Sequence, residues 1–163
     1  MSVSESDIAF VVGFWFGDGE LAFNVSKDMK FILPQICFSN SDTGILVFVA
    51  RVLEELGYIV SVAKGGANNW AVRLCTFKDV KVFSEVILSY IIECKKRRQV
   101  EIFLSKFVPI YQNRRSNKKA GGGKLWEKKT FIKAVKVIDE ISSLKTGKGA
   151  KRRHTSKFFS RKV

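Results

Sequence analysis

Two glycines four residues apart in an apolar helix, ending on an acid held between glycines, constrain this chain more than any other feature. Residues 7–20 read DIAFVVGFWFGDGE. Ser6 or Ser4 can accept the orphan N–H bonds of the first turn, and Asp7 sits where the helix dipole favours negative charge. Gly13 and Gly17 lie on one face and leave it bare, so another backbone can approach closely. Gly17-Asp18-Gly19 then stops the helix, because paired glycines favour turns over helix interiors. A copy of this segment packed on that face would bring two Asp18 carboxylates to one place. The competing reading is an ordinary helix stop before a hairpin, with the apolar run as core. The run is too short to span a bilayer and lacks the basic flank of a signal peptide.

After Gly19 the period changes to two. Leu21, Phe23 and Val25 alternate with Ala22, Asn24 and Ser26; Lys27 to Lys30 read as a turn; Ile32, Ile36 and Phe38 alternate with Gln35, Cys37 and Ser39. Ser41 or Asp42 caps a helix whose apolar residues run from Ile45 to Leu56 until Gly57 ends it. Residues 58–64 and 69–76 form a second hairpin, with Trp70, Val72 and Leu74 inward and Asn69, Arg73 and Cys75 on the other face. A helix over about 77–90 follows. The expected fold class is α+β in the order α-ββ-α-ββ-α, a four-stranded antiparallel sheet with helices on one face.

Such a sheet leaves its other face free, here carrying Asn24, Ser26, Gln35, Cys37, Ser39, Asn69 and Arg73. A solvated outer face is the commoner outcome for a single sheet. Charge argues for a partner. Of 163 residues 46% are hydrophobic, enough for a sizeable core, and the net charge is +14. Residues 1–90 hold 7 Lys/Arg against 10 Asp/Glu, whereas residues 91–163 hold 22 against 5. A polyanion is the natural partner for the basic half, since each Lys or Arg placed on a phosphate releases a counterion. A membrane surface is not expected, because no lipidation motif or long basic amphipathic helix accompanies the charge. Strands rise about 3.3 Å per residue and B-DNA about 3.4 Å per base pair, so one hairpin could track almost a turn of major groove. Amide and guanidinium groups are what base edges require.

Cys37, Cys75 and Cys94 form no CxxC, and the only histidine is His154. Zinc sites, disulfide frameworks and histidine catalysis are therefore not expected, and three apolar-context cysteines fit a reducing, intracellular compartment. Any chemistry must use carboxylates, lysines and a hard cation. Past Pro109, residues 111–125 read as a basic loop, and a helix from about Trp126 to Leu144 precedes a tail with eight Lys/Arg and no acid over residues 145–163. Lys148, Lys151, Arg152 and Arg153 in that tail are expected on phosphates; a localisation signal is the alternative.

Motif, topology and charge together make the chain resemble the LAGLIDADG homing endonucleases, single-motif branch, over almost its whole length of 1–163. The resemblance rests on Val11 to Gly19 as the motif helix, Phe38 to Asp42 after the second strand, Glu54-Glu55-Leu56-Gly57, and Lys95 to Gln99 before the next helix. Phe16 replaces the motif's first acid and Val12 a small interface residue. The family implies one αββαββα domain with extra C-terminal helices, whose sheet forms half of a DNA-binding saddle.

It also implies a homodimer meeting at Val12, Gly13, Phe16 and Gly17. Asp18 and the Gly17 carbonyl would hold Mg²⁺, or another divalent cation such as Mn²⁺; such ions take oxygen ligands and supply an activated water and a stabilised leaving group. Asn40 occupies the position of a water-orienting polar residue, and Lys96 best matches the active-site lysine, with Lys95 as the alternative. The expected activity is metal-dependent, staggered double-strand cleavage of a long, nearly palindromic DNA target, in an organelle or a microbial cytoplasm. A group I intron RNA maturase and a catalytically silent DNA-binding relative are the alternatives.

Overall fold

The computed structural model describes residues 3–64, 69–114, 126–145 and 155–161. Helix α1 (Glu5–Asp18) starts at Ser4, whose hydroxyl accepts the Asp7 N–H while the Asp7 carboxylate takes the Ser4 N–H, a reciprocal cap. The Ser4 hydroxyl and backbone N–H hold the Asp7 carboxyl below its usual range. Strands β1 (Gly19–Val25) and β2 (Ile32–Asn40) follow, then α2 (Thr43–Glu55), β3 (Val60–Lys64), β4 (Trp70–Leu74) and α3 (Phe77–Tyr90). The order and the four-stranded antiparallel sheet are those the sequence pattern predicts.

Strand order is β1-β2-β4-β3. The central pair sets Ile36 opposite Leu74 and Phe38 opposite Val72 on one face, and Cys37 opposite Arg73 and Ser39 opposite Ala71 on the other. On β3, Ser61 faces Arg73 and Ala63 faces Ala71.

Packing divides the chain into two compact units, Met1–Ala22 with Leu33–Ile92, and Phe23–Ile32 with Glu93–Val163. In the first, α2 lies on β3 and β4 while α1 packs against α2 and α3. Trp15, Phe38, Phe83, Leu53 and Leu74 are fully buried, and Phe38 meets Phe14 and Phe83 at ring distances of 6.3 and 5.8 Å. Trp15 also fixes the helix end: a Cβ on Gly19 would collide with its ring. Asp42 caps α2 by accepting the Gly44 N–H at 2.8 Å. Gly57, at φ 84°, closes α2 with the Tyr58 N–H on the Leu53 carbonyl at 3.0 Å and its own on that of Glu54 at 2.9 Å. Trp70, expected inward, lies on the helix side but is 39% exposed, because it borders an open groove with Leu46, Val47 and Ala50 of α2.

The second unit holds α4 (Lys95–Ile102), a π-helical turn (Phe103–Phe107), α5 (Val108–Gln112), α6 (Lys128–Ser143) and α7 (Ser156–Ser160). The wide turn is defined by the Val108 N–H on the Phe103 carbonyl. Pro109 follows; it lacks an N–H and would crowd the carbonyl four residues earlier, so loosening the helix ahead of it relieves the clash. Phe23, Phe103, Phe107, Phe131 and Phe159 form an aromatic core with the amphipathic face of α6. Helix α7 was not expected in the basic tail. Fully buried Phe159 anchors it 5.0 Å from Phe131, and the Asp139 carboxylate accepts the Ser156 N–H at 2.8 Å. Among the described residues no helix is long and apolar enough to cross a membrane.

Candidate active site and nucleic-acid face

Asp18 is the last residue of α1 and its side chain is exposed. Asn40, the last residue of β2, donates its Nδ2 hydrogen to Asp18 Oδ2 at 3.1 Å, while Asn40 Oδ1 accepts the Asp42 N–H at 2.8 Å. The amide therefore ties the end of the motif helix to the start of α2 and aims the carboxylate. A neutral donor does this without cancelling the negative charge, which stays available for a cation. The fold brings these two residues, 22 apart in sequence, into contact.

The glycine face is open. Gly13 and Gly17 are exposed, and a Cβ at either would meet nothing within 4 Å. Beside them a groove of about 270 Å³ is lined by Ala9, Val12, Gly13, Phe16, Tyr90 and Ile92, with Phe16 41% and Ile92 79% exposed. Val12 lines the floor of this groove at 2% exposure, its bulk taken up within the chain.

The sheet face opposite the helices carries most of the expected readers, with differences. Gln35 and Ser39 are half-buried, Asn24 and Asn69 exposed. Gln35 Nε2 donates to Cys75 Sγ at 3.6 Å. Arg73 lies across from Cys37 and Ser61, and its Nε is buried with no hydrogen bond reaching it. Cys37 is only 7% exposed, being a short side chain in the middle strands. Ser26 is withdrawn from the face altogether: its backbone pairs with Phe31 and its hydroxyl accepts the Phe31 N–H at 2.9 Å, bracing the hairpin turn. Leu33, two residues before Gln35, is 38% exposed and was not among the expected readers, although the alternation of β2 assigns it to their face.

Lys96 lies in the first turn of α4, half-buried, in the second unit. Cys94 accepts the Arg97 N–H at 3.3 Å and so caps this helix, a role its sequence context does not announce. Arg97 is engaged by Glu101 at 3.0 Å and Arg98 by the same carboxylate at 3.4 Å, so this basic run is partly spent on structure. Lys148, Lys151, Arg152 and Arg153 fall outside the described residues, as does the loop at 115–125.

A sequence model described as the LAGLIDADG-like domain matches residues 5–88, just over half of the chain. The chain belongs to the LAGLIDADG family. Solved LAGLIDADG proteins share its fold. The homing endonuclease I-CvuI, in complex with its target in the presence of Ca²⁺, is 17% identical with a TM-score of 0.72, over 97% of this chain and 94% of that one. The homing endonuclease I-TnaI is also 17% identical, with a TM-score of 0.62 over 99% and 96% of the two chains. The meganuclease I-AabMI, bound to uncleaved DNA, is 20% identical at a TM-score of 0.62, over 86% of this chain but 46% of its own. No curated protein matches in sequence. In LAGLIDADG terms, α1 is the motif helix and Asp18 its terminal acid, while the preceding acid position is taken by Phe16.

Proposed function

We propose that this chain is a homodimeric, metal-dependent DNA endonuclease that makes a staggered double-strand break in a long, nearly palindromic site. The observation that carries the reading is the exposed Asp18 carboxylate, held at 3.1 Å by Asn40 at the end of a helix whose glycine face is bare. The donor set suits a hard cation, because the Asp18 carboxylate and the Gly17 carbonyl are both oxygen. Two protein oxygens from one subunit leave coordination positions for water and substrate. That fits Mg²⁺ or Mn²⁺, which keep waters and bind substrate phosphates rather than filling an all-protein cage. A bound divalent cation supplies water activation and charge neutralisation.

The chain's own residues do the rest. Asn40 fixes the orientation of Asp18, and the sheet face and basic segments hold the duplex. Two strands need two such sites. The match to nearly all of I-CvuI but under half of I-AabMI supports one site per chain and a symmetric pair, with the Gly13/Gly17 faces crossing at the two-fold axis.

Asp18→Asn preserves size and the Asn40 contact while removing the charge. The expected result is loss of cleavage in Mg²⁺ with duplex binding retained, measured by gel cleavage assay and binding titration on a site selected from a randomised library. Substantial cutting by the variant would refute the assignment of Asp18.

A further inference from the structure

The reading face of the first unit is graded along β2. Nearest the Asp18–Asn40 pair lies a row of small side chains, Ser39, Ala71 and Ala63; next comes Arg73 with Cys37 and Ser61; then Gln35. Beyond Gln35 is Leu33. Its neighbours Ile32 and Pro34 are both buried, so the strand is fixed and Leu33 is turned outward by the alternation itself. An isobutyl group offers neither donor nor acceptor. Set against the edge of guanine, adenine or cytosine it would leave a base polar group without its water, whereas thymine presents a methyl group in the major groove.

Resting on the DNA-cleaving reading above, we propose that Leu33 is a specificity-determining residue that reads the C5-methyl of a thymine in each half-site. Leu33 lies four residues from the row of Arg73, about 13 Å along the strand. At about 3.4 Å per base pair the thymine stands roughly four pairs farther from the cut than the base that Arg73 contacts. Arg73, whose guanidinium carries paired donors on that row, suits a guanine there.

The test is selection of bound sites from randomised duplexes with the unmodified full chain and with Leu33→Ala and Arg73→Gln, followed by replacement of each selected thymine with deoxyuridine. The change removes one methyl group and no hydrogen-bonding atom. One position per half-site, about four pairs outward from the guanine that Arg73→Gln relaxes, is expected to lose affinity about fourfold, the worth of one buried methyl. In Leu33→Ala the thymine and deoxyuridine sites should bind equally, with the guanine preference intact. A duplex selected with no deoxyuridine-sensitive position, or with sensitivity that survives Leu33→Ala, would overturn the role of Leu33 while leaving the endonuclease reading standing. Enrichment of no duplex at all would overturn that reading and this one with it.

Discussion

Two described residues hold φ in the left-handed region, Gly57 at 84° and Met29 at 60°. For a residue with a Cβ that conformation costs about 1–2 kcal/mol; glycine escapes the cost. Gly57→Ala should therefore destabilise the first unit by about 1 kcal/mol, since a Cβ there meets no neighbour and only the backbone term is added. Met29→Gly should do the opposite, gaining roughly 0.5 kcal/mol after the extra entropy glycine carries in the unfolded chain. Denaturant melts of both variants check the pair of signs. Gly57 could be read from the sequence because it ends an apolar helical pattern. The φ of Met29, the turn-bracing hydroxyl of Ser26 and the cap made by Cys94 could not, because each is decided by a partner that periodicity does not reveal. Asp18 and Asn40 were legible singly, through the motif and the strand end; only folding shows the 3.1 Å contact between them.

At the scale of elements, α1 has two jobs on opposite faces. Val11, Val12 and Trp15 face its own core, while Gly13 and Gly17 face open space. Gly13→Leu separates the two. Within the subunit leucine has room and is a better helix former by about 0.8 kcal/mol, so the isolated fold should not weaken. In the proposed dimer it should hold the two helices apart and weaken association, carrying both Asp18 residues out of place. Light scattering and a thermal melt on the same sample read both effects; a dimer unaltered by the substitution would place the interface elsewhere. The strands and the longer helices were legible because their periods of two and 3.6 are well kept. The π-helical turn was not, since a single extra residue before Pro109 leaves the apolar pattern almost unchanged. Helix α7 was hidden for a different reason: five residues in a basic segment carry no period, and Phe159 is buried through a tertiary contact with Phe131.

For the whole molecule, charge is the property that links the two halves of the sequence. Residues 91–163 carry 22 Lys/Arg against 5 acids, yet the structure spends part of that charge internally: Lys106 pairs with Glu140 at 2.7 Å, and Arg114 stacks 3.3 Å over Tyr111. Lys148, Lys151, Arg152 and Arg153, outside the described residues, are the cations proposed for phosphates. Deleting everything after Leu144 would not test them, because it would also remove Phe159 and unseat the α6–α7 core. Changing those four residues to glutamine keeps α7 and removes only charge. If they lie on phosphates, affinity should fall by a similar factor for matched and mismatched duplexes, since phosphate charge is the same in every sequence. The slope of log affinity against log salt should become shallower by about 0.9 for each phosphate that the complex no longer neutralises. Binding curves at several salt concentrations, on the selected site and its single-base variants, measure both. A slope unchanged in the quadruple variant would assign those cations to solvent or a localisation signal, and would move the phosphate clamp to the remaining basic residues of the second half.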